Sequence, residues 1–169
     1  MMAEHRVSGV QKNADLCFVC GDHNPYGLNA RFYDLENGEV VAVFTAKKEH
    51  QSYPGRVHGG VIAAILDEAT GRAICHLDGP DSFGVTVELS IRYRKPVPYD
   101  TELKCVGRIT RNTRLLFEAE GEVLLPDGTV AASAHAKYMK MDIHSISEEG
   151  LDESQWRYLD ELVPDSISF

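Results

Sequence analysis

The sequence predicts an α+β fold in which an antiparallel sheet of about six strands wraps round one central helix. Three observations predict it. Only one long apolar segment, from His58 to about Cys75 or His76, carries helical spacing. Every run after it alternates in the manner of a strand, and a hairpin signal, Asn37-Gly38, lies before it. The connections are short, which makes sequence neighbours antiparallel neighbours in the sheet.

The elements follow in order along 169 residues, enough for one domain with short extensions. Residues 1–14 read as an N-terminal extension and 15–141 as the domain. Leu28 to Ala46 holds two strand-like runs joined at Leu35-Glu36-Asn37-Gly38-Glu39. Tyr53-Pro54-Gly55 breaks regular structure before the helix, and Asp78-Gly79-Pro80-Asp81 stops it. Val85, Val87, Leu89, Ile91 and Tyr93 then alternate with Thr86, Glu88, Ser90, Arg92 and Arg94, a half-buried strand ending at Pro96 and Pro98. Leu103–Thr110, Leu115–Leu125 and Val130–Met141 supply three more, joined at Arg111-Asn112-Thr113-Arg114 and Pro126-Asp127-Gly128-Thr129. A sheet with one helix leaves an edge and a face uncovered, which favours a partner copy, a homodimer at least. Residues 142–169 form an acidic extension in which Leu151, Trp156, Leu159 and Leu162 make a short helix-like pattern, which either caps the sheet or is solvated or weakly docked, the weakly docked terminus being favoured.

Charge and composition exclude several classes. The net charge of −9 is concentrated in the tail, where eight acidic residues face Arg157 alone, so the body is nearly neutral. No basic stripe of the kind that binds nucleic acid is present. No apolar run is long enough to span a bilayer, and Met1-Met2-Ala3-Glu4-His5-Arg6 lacks the apolar segment of a signal peptide, so a cytoplasmic protein without membrane association is expected. Cys17, Cys20, Cys75 and Cys105 are then expected as free thiols.

The chemistry concentrates where His58-Gly59-Gly60 enters the helix. Glycine amides at a helix N-terminus are approachable and sit where the dipole favours developing negative charge, so an acyl oxygen fits there. Gly60, Ala64, Asp67 and Gly71 follow the spacing i, i+4, i+7, i+11, a stripe of small residues from which only Asp67 projects a functional group. Asp67 has no cation at i±3 or i±4, and is either a functional carboxylate or an exposed helix Asp. Glu68, four residues before Arg72, reads as a surface ion pair. Ile62, Leu66, Ala69 and Ala73, widened by Ile65, form the ridge that packs on the sheet.

Beyond these, Asn24-Pro25-x-Gly27-Leu28, His50-Gln51-x-x-Pro54-Gly55-x-x-His58-Gly59-Gly60, Leu66-Asp67-Glu68, Gly84-Val85-Thr86-Val87 and Tyr93-Arg94-Lys95-Pro96 recur in combination over about residues 15–141. The combination resembles the hotdog-fold acyl-CoA thioesterases, specifically the phenylacetate-pathway (PaaI-like) branch. The resemblance implies a hotdog fold, a homodimer or dimer of dimers with a composite site between subunits, and hydrolysis of an acyl-CoA to free acid and CoA. By the same resemblance Asp67 is the nucleophile or general base, and the Gly59 amide, with Gly60 beside it, binds the thioester oxygen. His58 orients the loop or the thioester end, and Thr86 is the hydroxyl residue contributed by the opposite subunit. Several relatives carry an Asn six residues before the motif His. Here that place is Ser52, with Gln51 adjacent as the candidate amide. No metal is needed, and coenzyme A enters only as part of the substrate. Thr86 falls on the polar side of its strand's alternation, so it reaches the site only if that face, or a bulge, meets the partner subunit.

Other groups stay open. Cys17-x-x-Cys20 followed by His23 has the spacing of half a zinc site, or is a pair of buried thiols in a packing turn. Arg92, Arg94 and Lys95 either hold CoA phosphates or form a solvated strand face. His135 and His144 have no spacing partner, and Phe83 is expected in the pocket wall with the helix ridge. Two other functions share the fold: a non-catalytic acyl-CoA binding or sensing module, and an enoyl-CoA hydratase or dehydratase. The hydratase is disfavoured because His58 precedes the helix instead of pairing with an acid on it.

Overall fold

The computed structural model describes residues 2–169. Strands β1 (Glu4–Val10), β2 (Asn13–Ala14), β3 (Arg31–Leu35) and β4 (Val40–Thr45) precede helix α1 (Gly59–Arg72) and the short α2 (Cys75–Asp78). Strands β5 (Gly84–Tyr93), β6 (Glu102–Asn112), β7 (Leu116–Leu124) and β8 (Val130–Lys140) follow, and β9 (Trp156–Arg157) and β10 (Ser166–Ser168) lie in the tail. The main sheet has eight strands in the order β10-β1-β3-β4-β6-β7-β8-β5, and β2 pairs with β9 separately. Each neighbouring pair is antiparallel, and α1 packs across β4 to β8. This is the α+β architecture expected, with two more strands in the sheet.

The extra strands come from the termini. Residues 1–14, expected as an extension, provide β1, which pairs with β3, and β10 pairs with β1 in turn. Ile167 thereby joins Tyr33, Leu35, Val41, Val106 and Leu124 in a core on the sheet face away from α1. The helix-like pattern of the tail does not form a helix. Its apolar residues have no common surface to bury: Trp156 turns inward while Leu162 is 98% exposed, and Gly150 at φ +67 and Pro164 interrupt the segment.

The central helix stops at Arg72 instead of running to Cys75 or His76. Ile74 is drawn into a separate cluster with Phe117, Ala136 and Tyr138, which turns the chain before α2. The rest of the ridge behaves as its spacing predicts, with Ile62, Ile65, Leu66, Ala69 and Ala73 buried against Phe32, Phe44, Leu103 and Val123. Close approach of helix to sheet depends on two glycines paired across β6 and β7, Gly107 and Gly121. A Cβ on Gly107 would lie 2.4 Å from the Ala69 carbonyl oxygen, and one on Gly121 would lie 2.7 Å from Thr70 Cγ2. The helix therefore rests on bare backbone, which fixes the height of Asp67 above the sheet.

Candidate active site

The loop before α1 is anchored by His50, which is buried. Its Nδ1 accepts from the Lys47 amide at 2.9 Å, which leaves Nε2 to donate to the Tyr26 carbonyl at 2.6 Å. The His50 carbonyl accepts from His58 N–H at 2.8 Å, and Val57 N–H bonds the Val97 carbonyl. This holds the start of α1 in place. Gln51, bridged to Val57, and Ser52, whose amide bonds the Arg56 carbonyl, both stand exposed on this loop.

His58 is the N-cap of α1, and its Nδ1 accepts the Gly60 N–H at 2.8 Å. Gly60 is thus a correction to expectation: its amide is already bonded, so it does not stand beside Gly59 as a second free donor. Val61 and Ile62 amides bond the His58 carbonyl. Among the described residues, only Gly59 N–H of the first four helix amides is left without a partner, at the positive end of the dipole. Tyr93 OH donates to the Gly59 carbonyl at 2.8 Å, steadying that peptide.

Asp67 is half-buried rather than a solvated helix Asp, and it has partners that no helical spacing shows. Thr86 Oγ1 donates to its Oδ1 at 2.8 Å, and Tyr138 OH donates to the same oxygen at 2.9 Å. Oδ2 receives no side-chain donor among the described residues. Tyr138 also contacts the Thr70 hydroxyl at 2.6 Å and the Asp67 carbonyl at 2.8 Å. Burial, with the Asp67 charge adding to it, pushes the Tyr138 hydroxyl above its ordinary range, so it stays a proton donor. Thr86 reaches the carboxylate because the β5–β8 register shifts between Thr86 and Glu88, a bulge that turns it off the polar face. It meets the Asp67 of its own chain, where the resemblance implied that of the opposite subunit.

Tyr138 was not singled out from sequence. The signal was there, since it stands in the 130–141 run and a Tyr turned toward a helix needs a partner for its hydroxyl.

The Glu68–Arg72 pair is also not the surface pair its spacing suggested. Arg72 is buried, bonds Glu68 at 2.8 Å and the Lys12 carbonyl at 2.7 Å, and stacks between Phe32 and Trp156, at 4.2 and 5.0 Å from the ring centroids. Cys17, Cys20 and Glu68 carry ligand-type atoms within 4.8 Å of one another, whereas His23 groups with Asp15 and Asp22 instead. Within the turn, a hydrogen bond from Cys20 holds the Cys17 thiol down at about 7, and Cys20 itself is pushed well up.

Arg92 and Arg94 lie on the other side of the sheet. Arg92 pairs in register with Ser133, and Arg94 bonds the Ser133 hydroxyl at 2.5 Å, lining a groove with Ser90 and His135. Lys95 is exposed beside them. Within one chain these three do not converge on Asp67. A cavity of about 290 Å³ does open at Asp67, lined by Thr86, Tyr138, Phe83 and Trp156 among others, with Phe83 in the wall as expected.

The arrangement supplies a carboxylate with one free oxygen midway along α1 and a free amide at the N-terminus of the same helix. Eight helical steps separate them, about 12 Å along the axis at 1.5 Å per residue. A single thioester carbonyl cannot touch both groups of one chain.

The family model for the thioesterase superfamily matches residues 54–132. The acyl-coenzyme A thioesterase THEM4 of Mus musculus is 30% identical over 114 residues, 67% of this chain and 48% of that protein. This chain therefore spans about half the length of that relative. SSO2140, a candidate esterase of Saccharolobus solfataricus, is 30% identical over 108 residues, 63% of this chain and 75% of its own length. Among solved structures, the thioesterase superfamily protein RHA08564 superposes with a TM-score of 0.66 at 29% identity, covering 73% of this chain and 59% of that one. The E. coli PaaI protein shares the fold, with a TM-score of 0.60 at 15% identity over 68% of this chain and 80% of that one. Among the described residues no helix is long and apolar enough to cross a membrane.

Proposed function

Because the chain belongs to the thioesterase superfamily, we propose that it hydrolyses acyl-CoA thioesters in composite sites between two copies, each built from Asp67 of one copy and the Gly59 amide of the other. The observation that carries this is the separation of two groups on one helix: one oxygen of Asp67, midway along α1, held by two hydroxyls and one left free, and, about 12 Å away at the helix N-terminus, an amide without a partner among the described residues. Strand β5 is the natural seam. It is the outer strand at the end of the sheet opposite β10, and Val85 and Val87 on it are 37% and 50% exposed. An unpaired apolar edge of this length invites a second copy, which would bring a foreign α1 N-terminus toward Asp67.

In the reaction the Gly59 amide donates to the thioester oxygen as it gains negative charge, the task of an oxyanion donor. On one route Asp67 Oδ2 takes a proton from water as the water oxygen adds to the carbonyl carbon; the C–S bond then breaks, and the departing CoA thiolate takes that proton from Asp67, leaving the free acid. On the other, Oδ2 adds to the carbonyl carbon itself and the C–S bond breaks to give a mixed anhydride and CoA thiolate; water then opens the anhydride, which returns the Asp67 carboxylate and the free acid, and the water's other proton goes to the thiolate. Thr86 and Tyr138 hold Oδ1, so the carboxylate turns its free oxygen to the reactants. The test is thiol release over short, long, branched and aryl acyl-CoAs, comparing the native chain with Asp67→Asn, which preserves the oxygen that accepts both hydroxyls. Turnover by the native protein and its loss in Asp67→Asn support the proposal. Equal turnover by both, or ligand binding with no turnover by either, overturns it.

A further inference from the structure

Part of the wall of the cavity at Asp67 is made by the tail. Asp67, Thr86 and Tyr138, joined by hydrogen bonds, line it together with Phe83 and, from the tail, Leu151 and Trp156. Trp156 arrives there because β9 pairs with β2, which sets it opposite Ala14. Its indole Nε1 donates to Asp81 at 3.0 Å, and the ring lies 5.9 Å from Phe83 and over the Arg72 guanidinium. Two ion pairs flank it: Arg157 with Asp22 at 2.7 Å and Lys12 with Asp81 at 2.8 Å. The tail is thus fastened by the Trp156 indole on Asp81, itself held by Lys12, and by Arg157 on Asp22, and Trp156 lines the same cavity as the candidate catalytic carboxylate.

The chemistry of the cavity says which part of an acyl-CoA enters. Its charged lining residues are Asp67, Glu68 and Arg72, and Arg72 is neutralised by Glu68 at 2.8 Å. The charge left over is that of Asp67, which repels phosphate, so the nucleotide end is excluded and the acyl end admitted. Aromatic faces from Phe83, Tyr138 and Trp156 suit a flat ring. A single chain encloses about 290 Å³ of this space, and Leu151 and Trp156 from the tail are among its walls.

We propose that the C-terminal segment, through Trp156, closes an acyl pocket that admits a single aromatic ring or a short branched chain and rejects long fatty chains. The proposal rests on the hydrolytic reading for its substrate, and the experiment separates the two. Trp156 is the only tryptophan in the chain, so its emission reports this pocket alone. Non-hydrolysable S-benzyl-, S-isobutyl- and S-hexadecyl-CoA thioethers and CoA itself are titrated against native protein while emission is read. In parallel, kcat and KM are measured over benzoyl-, isobutyryl-, octanoyl- and palmitoyl-CoA for the native chain, Trp156→Ala and Trp156→Phe.

The expected result is an emission change with the benzyl and isobutyl thioethers and none with CoA. Trp156→Ala then shifts kcat/KM toward the longer esters by roughly tenfold or more, and Trp156→Phe restores the native order. Turnover with silent emission and an unchanged ester profile overturns the pocket and leaves hydrolysis standing. Emission changes without turnover overturn hydrolysis and leave the pocket standing, and silence in both overturns both. Should Trp156→Ala fail to fold, the emission titration on the native residue decides.

Discussion

Tyr138→Phe removes one oxygen from the machinery and leaves its frame in place. The ring is 2% exposed and stacks on Phe117 at 4.7 Å, contacts that phenylalanine keeps. The hydroxyl lost is one of two donors on Asp67 Oδ1, at 2.9 Å, and it also contacts Thr70 Oγ1 at 2.6 Å. A hydrogen bond to a charged group contributes about 1.5–3 kcal/mol. If that holds the carboxylate for attack, kcat falls by roughly 10- to 150-fold at 1.36 kcal/mol per decade, with KM little changed. Folding loses about 1–2 kcal/mol, because Thr70 retains the Leu66 carbonyl at 2.7 Å as its own acceptor. For a chain of this length that lowers Tm by about 2–8 °C. Thiol release and a thermal melt read the two effects separately. Thr86→Val removes the other donor on the same oxygen, so the double variant should lose less than the product of the single losses. A Tyr138→Phe protein with kcat within about twofold of native would refute the positioning argument, whatever its Tm.

Two further outcomes are expected. Gly107→Ala puts a Cβ 2.4 Å from the Ala69 carbonyl, where backbone and not a mobile side chain must yield; the cost is about 3 kcal/mol or more, read as a fall in Tm of roughly 6–12 °C, and an unchanged Tm would show that the helix does not rest on that strand. Alkylation of Cys17 by iodoacetamide should rise through a midpoint of about 7, since the thiolate is the nucleophile, and should move up in Cys20→Ala, which lacks the thiol that donates to it. A native midpoint at the ordinary 9.0 would contradict the turn's geometry.

What the sequence made legible is what local periodicity encodes. The ridge of α1 and the alternation of β5 to β8 each repeat a spacing over several residues, the Asn37-Gly38 turn is set by two adjacent residues, and each was found within a few residues of its place. The tail strands have two and three residues and pair with the far end of the chain, so no period announces them. Asp67 was legible because an unpaired acid among small residues is anomalous in a helix. Its partners were not: Thr86 needs a bulge to reach it, and Tyr138 lies 71 positions away. The Gly60 amide was misjudged because His58 caps it, a role for which Ser, Thr, Asp and Asn are the residues one looks for. Arg72 and Glu68 satisfied a surface rule, yet Trp156 covers the Arg72 guanidinium, from the segment for which docking on the sheet was the less favoured of the readings.

The central claim is that each site takes Asp67 from one copy and the Gly59 amide from another, and complementation tests it most directly. Proline is tolerated at the first helical position and has no N–H, so Gly59→Pro deletes the amide while keeping the helix. A Cβ there meets Tyr93 at an ordinary 3.6 Å. Gly59→Pro and Asp67→Asn proteins, each inactive alone, are unfolded together, refolded as a mixture and assayed for thiol release. With composite sites, half of the dimers are mixed and each holds one intact site, so activity returns to about a quarter of native. If both groups serve the same site from one chain, the mixture stays as inactive as its parts, and the account is wrong.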